Sequence, residues 1–154
     1  MALNENSEVW WSMKSILLVD GETEISDELA RTLRRFGFSV QTAGTLERAL
    51  RAVQDSQFDV LLLEFNLRSD RKARPRTGTG LEVVQRLRAS GSTTPILMFT
   101  SMDGELYERA SLEAGVDEFI RKTDGIPHLV TRLRVHFVQA ERLCRDSQSE
   151  TRNL

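Results

Sequence analysis

The chain is poor in the residues that most often carry chemistry or crosslinks: one cysteine, two histidines, one tyrosine and three prolines in 154 residues. A lone thiol, Cys144, closes no disulfide within the chain, and no cysteine–histidine spacing suggests zinc. Its simplest role is a small apolar residue late in a helix. No apolar stretch approaches the ~20 residues that a membrane helix needs. Residues 1–13 carry Glu5 and Glu8 and have no basic segment ahead of their apolar residues, so they do not form a secretion signal. A cytoplasmic location is the expectation that follows. Charge of one sign is also missing. Lysine and arginine number 21 against 23 acids, a formal net charge of −2, so no global field points toward nucleic acid. What remains is 40% hydrophobic and 29% charged, the balance of one globular domain with short extensions.

Two kinds of segment alternate along that domain. Short β-rich runs occupy Ser15–Val19, Phe38–Thr42, Phe58–Leu63, Pro95–Thr100 and Glu118–Arg121. Several are almost continuously apolar, as parallel strands covered on both faces are. Helical periodicity fills the gaps between them. Ile25, Leu29, Leu33 and Phe36 recur at three- and four-residue steps, as do Leu46, Ala49, Leu50 and Val53 behind an N-cap candidate, Thr45. Leu81, Val84 and Leu87 mark a third helix, and Leu106, Ala110 and Ala114 a fourth. The last helix is expected from Pro127, with Leu129, Val130, Leu133, Phe137 and Val138 as its buried stripe. Gly37, Gly91 and Gly115 stand where helices give way to strands. Five rounds of this alternation predict a single α/β domain of flavodoxin-like type. Its five-stranded parallel sheet has order 2-1-3-4-5 and helices on both faces. Boundaries fall at 1–13 for an N-terminal extension, 14–143 for the domain and 144–154 for a polar, weakly ordered tail. Trp10 and Trp11 are out of character in the extension, because such large aromatics usually pack on something.

Ligands on this fold bind beyond the carboxyl ends of the strands. Asp20, Glu64, Thr100 and Lys122 each end a strand, so all four are expected on one edge. Their settings are Ile16-Leu17-Leu18-Val19-Asp20, Leu61-Leu62-Leu63-Glu64-Phe65-Asn66, Ile96-Leu97-Met98-Phe99-Thr100 and Glu118-Phe119-Ile120-Arg121-Lys122. From about Lys14 to Leu143 the chain resembles the receiver domain of two-component response regulators, and it does so in an atypical form. In that family the residue at position 64 is the aspartate that accepts a phosphoryl group. The resemblance makes Thr100 the hydroxyl and Lys122 the lysine that hold the transferred group, and Asp20 the first of two adjacent acids. Asn66 stands where a backbone carbonyl contacts magnesium, and Phe119 where an aromatic swings inward on activation.

Two departures strike the same chemistry. Glu64 is one methylene longer than aspartate and extends its carboxylate by ~1.5 Å, and a ~1 Å error in an in-line transfer can cost on the order of a hundredfold in rate. Gly21 stands where the second acid would contact the metal and offers no ligand; Glu22 comes one residue late. The expectation is therefore a pseudo-receiver: no enzyme, no catalytic residue and no metal site. Its cofactor is none, with Mg²⁺ only if the pocket still binds metal. Glu64 then acts as a partial phosphomimic, or as an inert ion-pair partner of Lys122. Thr123 replaces a proline that is often cis in the family, which predicts a rearranged loop there. The segment Arg68 to Thr79, longer than its family counterpart, is rich in arginine. Pro75, Gly78 and Gly80 predict an irregular insertion there, either solvated or a basic contact for an acidic or phosphate-bearing ligand.

By resemblance the partner is a signalling protein or a second copy, contacted through the helix 4–strand 5–helix 5 face near Tyr107 and Phe119. Neither nucleic acid nor membrane is expected. Two alternatives stand beside this reading. One is a conventional phosphorelay receiver using the same pocket; Asp59, the other acid of strand 3, lies at the wrong end. The other is a nucleotide- or small-ligand-binding flavodoxin-like protein. Against that one, Asp20-Gly21-Glu22-Thr23-Glu24 is acidic rather than a glycine-rich phosphate loop, and His128 and His136 lie on the last helix.

Overall fold

In the computed structural model, residues 14–69, 72–76 and 79–151 are described. Trp10 and Trp11 lie outside them. The elements in chain order are β1 (Ser15–Val19), α1 (Thr23–Arg35), β2 (Ser39–Ala43), α2 (Leu46–Asp55), β3 (Val60–Leu63), β4 (Leu67–Ser69), β5 (Lys72–Arg76), α3 (Thr79–Ala89), β6 (Ile96–Thr100), α4 (Glu105–Ala114), β7 (Glu118–Arg121) and α5 (Ile126–Thr151). The main sheet is parallel throughout, with order β2-β1-β3-β6-β7. This is the expected 2-1-3-4-5 arrangement.

The period-two alternation of the central strands divides the core into two layers. Ile16, Leu18, Val60, Leu62, Leu97 and Phe99 face α1 and α5, where Leu29, Leu33, Leu129, Leu133 and Phe137 close over them. Leu17, Val19, Leu61, Leu63, Ile96 and Met98 face the other way, against Leu46, Ala49, Val83, Val84 and Leu87 of α2 and α3. Because both faces are covered, β1, β3 and β6 need apolar residues at nearly every position, and they have them. Thr45 caps α2 as expected, its hydroxyl accepting from the Arg48 N–H at 3.3 Å. Gly115 closes α4 in the left-handed region at φ 110°.

Three expectations need correction. The insertion after strand 3 is not irregular: β4 and β5 pair as an antiparallel ribbon with Leu67 opposite Arg76 and Ser69 opposite Lys72. Pro75 does not prevent this, because a two-stranded ribbon has only edges and proline is tolerated there. Gly80 belongs to the first turn of α3 rather than to the loop. The last helix does not fade at Leu143 but continues to Thr151, a length of ~39 Å at 1.5 Å per residue. No glycine or proline occurs between Cys144 and Thr151 to stop it.

The loop after β7, where Thr123 stands, is a tight turn. Lys122–Asp124 forms a single 3-10 turn, with Asp124 accepting from the Arg121 N–H at 3.2 Å and Gly125 at φ 87°. All described peptide bonds are trans. That turn aims Lys122 back across the sheet edge.

Candidate functional site

Four strand ends meet at the carboxyl edge of the sheet. Asp20 follows β1 and is held by its backbone N–H on Ala43 O at 3.1 Å. Glu64 follows β3, its N–H donating to Val19 O at 2.9 Å. Thr100 ends β6, and Lys122 opens the turn after β7. Asp20, Glu64 and Thr100 are buried at 4%, 8% and 0% exposure, so their polar groups depend on one another rather than on water.

Lys122 joins the two acids. Its Nζ lies 2.9 Å from Asp20 Oδ2 and 2.9 Å from Glu64 Oε2. Each remaining carboxylate oxygen also has partners. Asp20 Oδ1 accepts from the Glu22 N–H at 3.0 Å. Glu64 Oε1 accepts from the Phe65 N–H at 2.7 Å and from the Thr100 hydroxyl in a short hydrogen bond. The Thr100 oxygen in turn accepts from the Met102 N–H at 3.1 Å. The longer side chain at position 64 thus folds sideways along the sheet edge toward β6 and β7. Burial on its own would depress the basicity of Lys122. The hydrogen bonds to Glu64 and Asp20, together with their charges, outweigh it and hold the lysine pKa above its ordinary value.

The other expected site residues sit around this cluster rather than in it. Gly21 is half-buried and outside the left-handed region, so glycine is not required there by its backbone. Glu22 is exposed at the start of α1 and contributes its N–H, not its carboxylate. The Asn66 side-chain amide lies 3.5 Å from the Met102 sulfur, directed along the loop. Phe119 is half-buried and packs with Met102 and Tyr107 against the α2–α3–α4 side of the core. Tyr107 sets its ring edge-on to Phe65 at 5.3 Å, which ties α4 to the residue next to Glu64. Asp59 accepts from Ser15 at the far end of the sheet.

Two contributors were not read as part of the site: Gly80, which was assigned to the loop, and Met102. A Cβ on Gly80 would lie 2.2 Å from Glu64 O and 2.9 Å from Phe65 O, so only glycine lets α3 seat on the backbone that carries Glu64. The Gly80 N–H closes that contact on Phe65 O at 2.9 Å. A glycine in the first turn of an otherwise helical pattern was the available signal. Met102 acts through its backbone N–H, which any residue supplies, so no pattern could have marked it.

Magnesium fits this donor set poorly. Among the described residues no group of three or more His, Cys, Asp or Glu side chains is gathered to hold a metal. The two acids that do meet each commit an oxygen to Lys122. No helix among the described residues is long and apolar enough to cross a membrane.

Comparison with known proteins agrees with this architecture. The family model for the response regulator receiver domain matches residues 16–134. The sensory transduction protein RegX3 of Mycolicibacterium smegmatis is 32% identical over 122 residues, 79% of this chain and 50% of the relative. The response regulator MprA of Mycobacterium leprae is 34% identical over 119 residues, 77% of this chain and 49% of the relative. The chain therefore spans about half the length of these curated relatives. Among solved structures, the BeF3-activated N-terminal receiver domain of Klebsiella pneumoniae RstA matches with a TM-score of 0.71 at 26% identity, covering 80% of this chain and 97% of that one. A two-component response regulator of Clostridium difficile matches with a TM-score of 0.72 at 23% identity, covering 82% and 98%. With the strand order, the site at the sheet edge and the family match in agreement, the chain belongs to the response regulator receiver domain family of two-component signalling.

Proposed function

We propose that this receiver domain signals without accepting a phosphoryl group, as a protein-interaction module in which Glu64 is a built-in partial substitute for the phosphorylated residue. One observation carries the reading. The Glu64 carboxylate holds the Thr100 hydroxyl and the Lys122 ammonium at the same time, the two groups that in the family receive the transferred phosphoryl group. A nucleophile needs an accessible lone pair in line with the donor. Here Oε1 takes two hydrogen bonds and Oε2 takes the lysine. The substitution is partial in charge and in acceptors: one carboxylate carries a single charge on two oxygens, against up to about two charges and three oxygens on a phosphoryl group.

Loss of the metal belongs to the same reading. Asp20, Glu64 and Lys122 sum to one negative charge, and a third acid at position 21 would double it. With glycine there, the lysine alone nearly balances the site and no dication is called for. The surface for a signalling partner or a second copy is α4, β7 and the start of α5, where Leu106 and Leu112 are 65% and 45% exposed.

The test is intact mass after incubation with magnesium and a small phosphodonor such as acetyl phosphate. No stable phosphoryl adduct is expected. An adduct would instead support a conventional phosphorelay receiver, the reading favoured by the retained Asp20, Thr100 and Lys122. With a partner in hand, Glu64→Gln is expected to weaken binding, whereas unchanged affinity would reduce Glu64 to an inert ion-pair partner.

A further inference from the structure

Glu64 is tied to α4 through its own neighbour in the chain. We propose that Phe65 and Tyr107 carry the state of the Glu64 carboxylate to α4, so that a change at the carboxylate shifts this helix. The route rests on the proposed function only in taking α4 as part of the partner surface.

Phe65 is held at three points. Its N–H donates to Glu64 Oε1 at 2.7 Å, so the carboxylate grips the peptide that joins the two residues. Its carbonyl accepts from the Gly80 N–H at 2.9 Å, in the first turn of α3. Its ring, 3% exposed, meets the Tyr107 ring edge-on, with centres 5.3 Å apart and planes at 86°. With both backbone groups held, the backbone sets where the ring lies, and any turn of the peptide between 64 and 65 moves it.

The helix at the far end of that contact is lightly anchored. In α4 only Ser111 is buried, whereas α1 buries Ser26, Leu29, Ala30 and Leu33. The helix follows Gly104 at φ 116° and has no side-chain cap there. Tyr107 lies in its first turn and belongs to both ends of this weak attachment. The Tyr107 N–H donates to Gly104 O at 3.1 Å, and the Tyr107 carbonyl accepts from the Ser111 hydroxyl at 2.8 Å. Beside it, Leu106 is 65% exposed on the surface offered to a partner. Segments with little burial shift at low free-energy cost, so one ring contact can bias where α4 sits. The resemblance gave this role to a swing of Phe119; the covalent neighbour of Glu64 supplies a shorter route that needs no swing.

Tyr107 is the only tyrosine of the chain, so meta-fluorotyrosine incorporated into the full protein gives one fluorine resonance, from α4. Glu64→Ala, which removes both accepting oxygens, should displace that resonance by more than its linewidth. Glu64→Gln keeps an oxygen for the Phe65 N–H and should move it far less. In a Phe65→Leu background, Glu64→Ala should produce no further displacement. A displacement that Phe65→Leu leaves whole overturns the proposal, because it then passes through Thr100 and Met102 or through Phe119. Equal displacement by alanine and glutamine, or none by alanine, also overturns it. Amide exchange reads the anchor with Glu64 unaltered: Phe65→Leu should speed exchange along α4 several-fold more than along α1, and equal acceleration overturns the proposal. A phosphoryl adduct in intact mass would sink the proposed function and leave these responses standing; an unmoved Tyr107 without an adduct sinks the route alone.

Discussion

Replacing Glu64 by glutamine changes the charge of the site and almost nothing of its shape, so the variant isolates what Lys122 gains there. The amide oxygen can still accept from Thr100 and from the Phe65 N–H, but the amide nitrogen then faces Lys122 Nζ, donor against donor, where Oε2 now lies at 2.9 Å. A hydrogen bond to a charged group contributes about 1.5–3 kcal/mol. Breaking a deeply buried ion pair costs about 3–5 kcal/mol, but that upper range does not apply here. The Lys122 side chain is 22% exposed and keeps Asp20 at 2.9 Å, so it can turn toward water and its second partner. Glutamine also removes the desolvation of one carboxylate. The net loss should be about 1–2 kcal/mol, seen as a lower urea midpoint at unchanged slope and a fall in Tm of about 2–8 °C.

The alkaline limb checks the same mechanism independently. The folded pKa of Lys122 is raised, so its stabilisation is fully present below the ordinary lysine value of ~10.4 and is lost as pH rises through the folded value. With Glu64 neutralised the lysine is raised less, and the variant should lose less stability than the parent above about pH 10. A Glu64→Gln variant as stable as the parent, with an identical alkaline limb, would show that Lys122 is satisfied by Asp20 and solvent alone. The coupling argued for the site would then be absent.

Gly80→Ala should destabilise the domain by up to about 2 kcal/mol net in chemical denaturation, because an overpacking cost of about 1–3 kcal/mol against fixed atoms exceeds the ~1 kcal/mol gained in helix propensity; the new Cβ meets backbone carbonyls at 2.2 and 2.9 Å. A more stable alanine variant would refute the seating of α3 on the Glu64 backbone. At the other end of β7, burial raises the Glu118 pKa, but the hydrogen bonds and charges of Arg132 and His136 overcome it and leave a net depression. Its stabilisation is present above the ordinary glutamate value of ~4.3 and is lost as pH falls through the lower folded value, so Glu118→Gln should flatten the acid limb below about pH 4 in a pH series of thermal melts. An unchanged limb would place the acid sensitivity elsewhere. Gly21→Asp combined with Glu64→Asp should restore a magnesium-dependent phosphoryl adduct in intact mass, and no adduct would mean that the surrounding loops have diverged as well.

The parts of this fold written in hydrophobic period were legible from the residues. Strands such as Ile16–Val19 and Leu61–Leu63 are apolar at every position because helices cover both faces, and no other common arrangement asks for that. Strand ends then placed Asp20, Glu64, Thr100 and Lys122 on one edge. What stayed hidden depended on backbone contacts or on competition between weak preferences. The β4–β5 ribbon carries Pro75 and lies among loop-forming residues, so local preference and the actual pairing disagree. The continuation of α5 to Thr151 has no apolar stripe to announce it. Gly80 matters for the carbonyls above it, which no periodicity encodes.

Under the proposed function, Glu64 and Gly21 are better understood together than singly. The Glu64 side chain bends back along the sheet edge. That bend crosses from β3 to the ends of β6 and β7, roughly one and two strand spacings of ~4.8 Å away, and brings the carboxylate to Thr100 and Lys122. There Lys122 pairs with two buried acids. A further acid at position 21 would leave two negative charges without a counter-ion in a site screened from water, which is the condition that calls for a metal. Glycine at that position leaves a single negative charge. In the function proposed above, the longer acid at 64 and the absence of one at 21 act together: the first puts a fixed charge on Thr100 and Lys122, and the second keeps the residual charge of the site to one. The double reversal Gly21→Asp and Glu64→Asp is informative for this reason, since either change by itself should leave the site with an acid too many or a ligand too few.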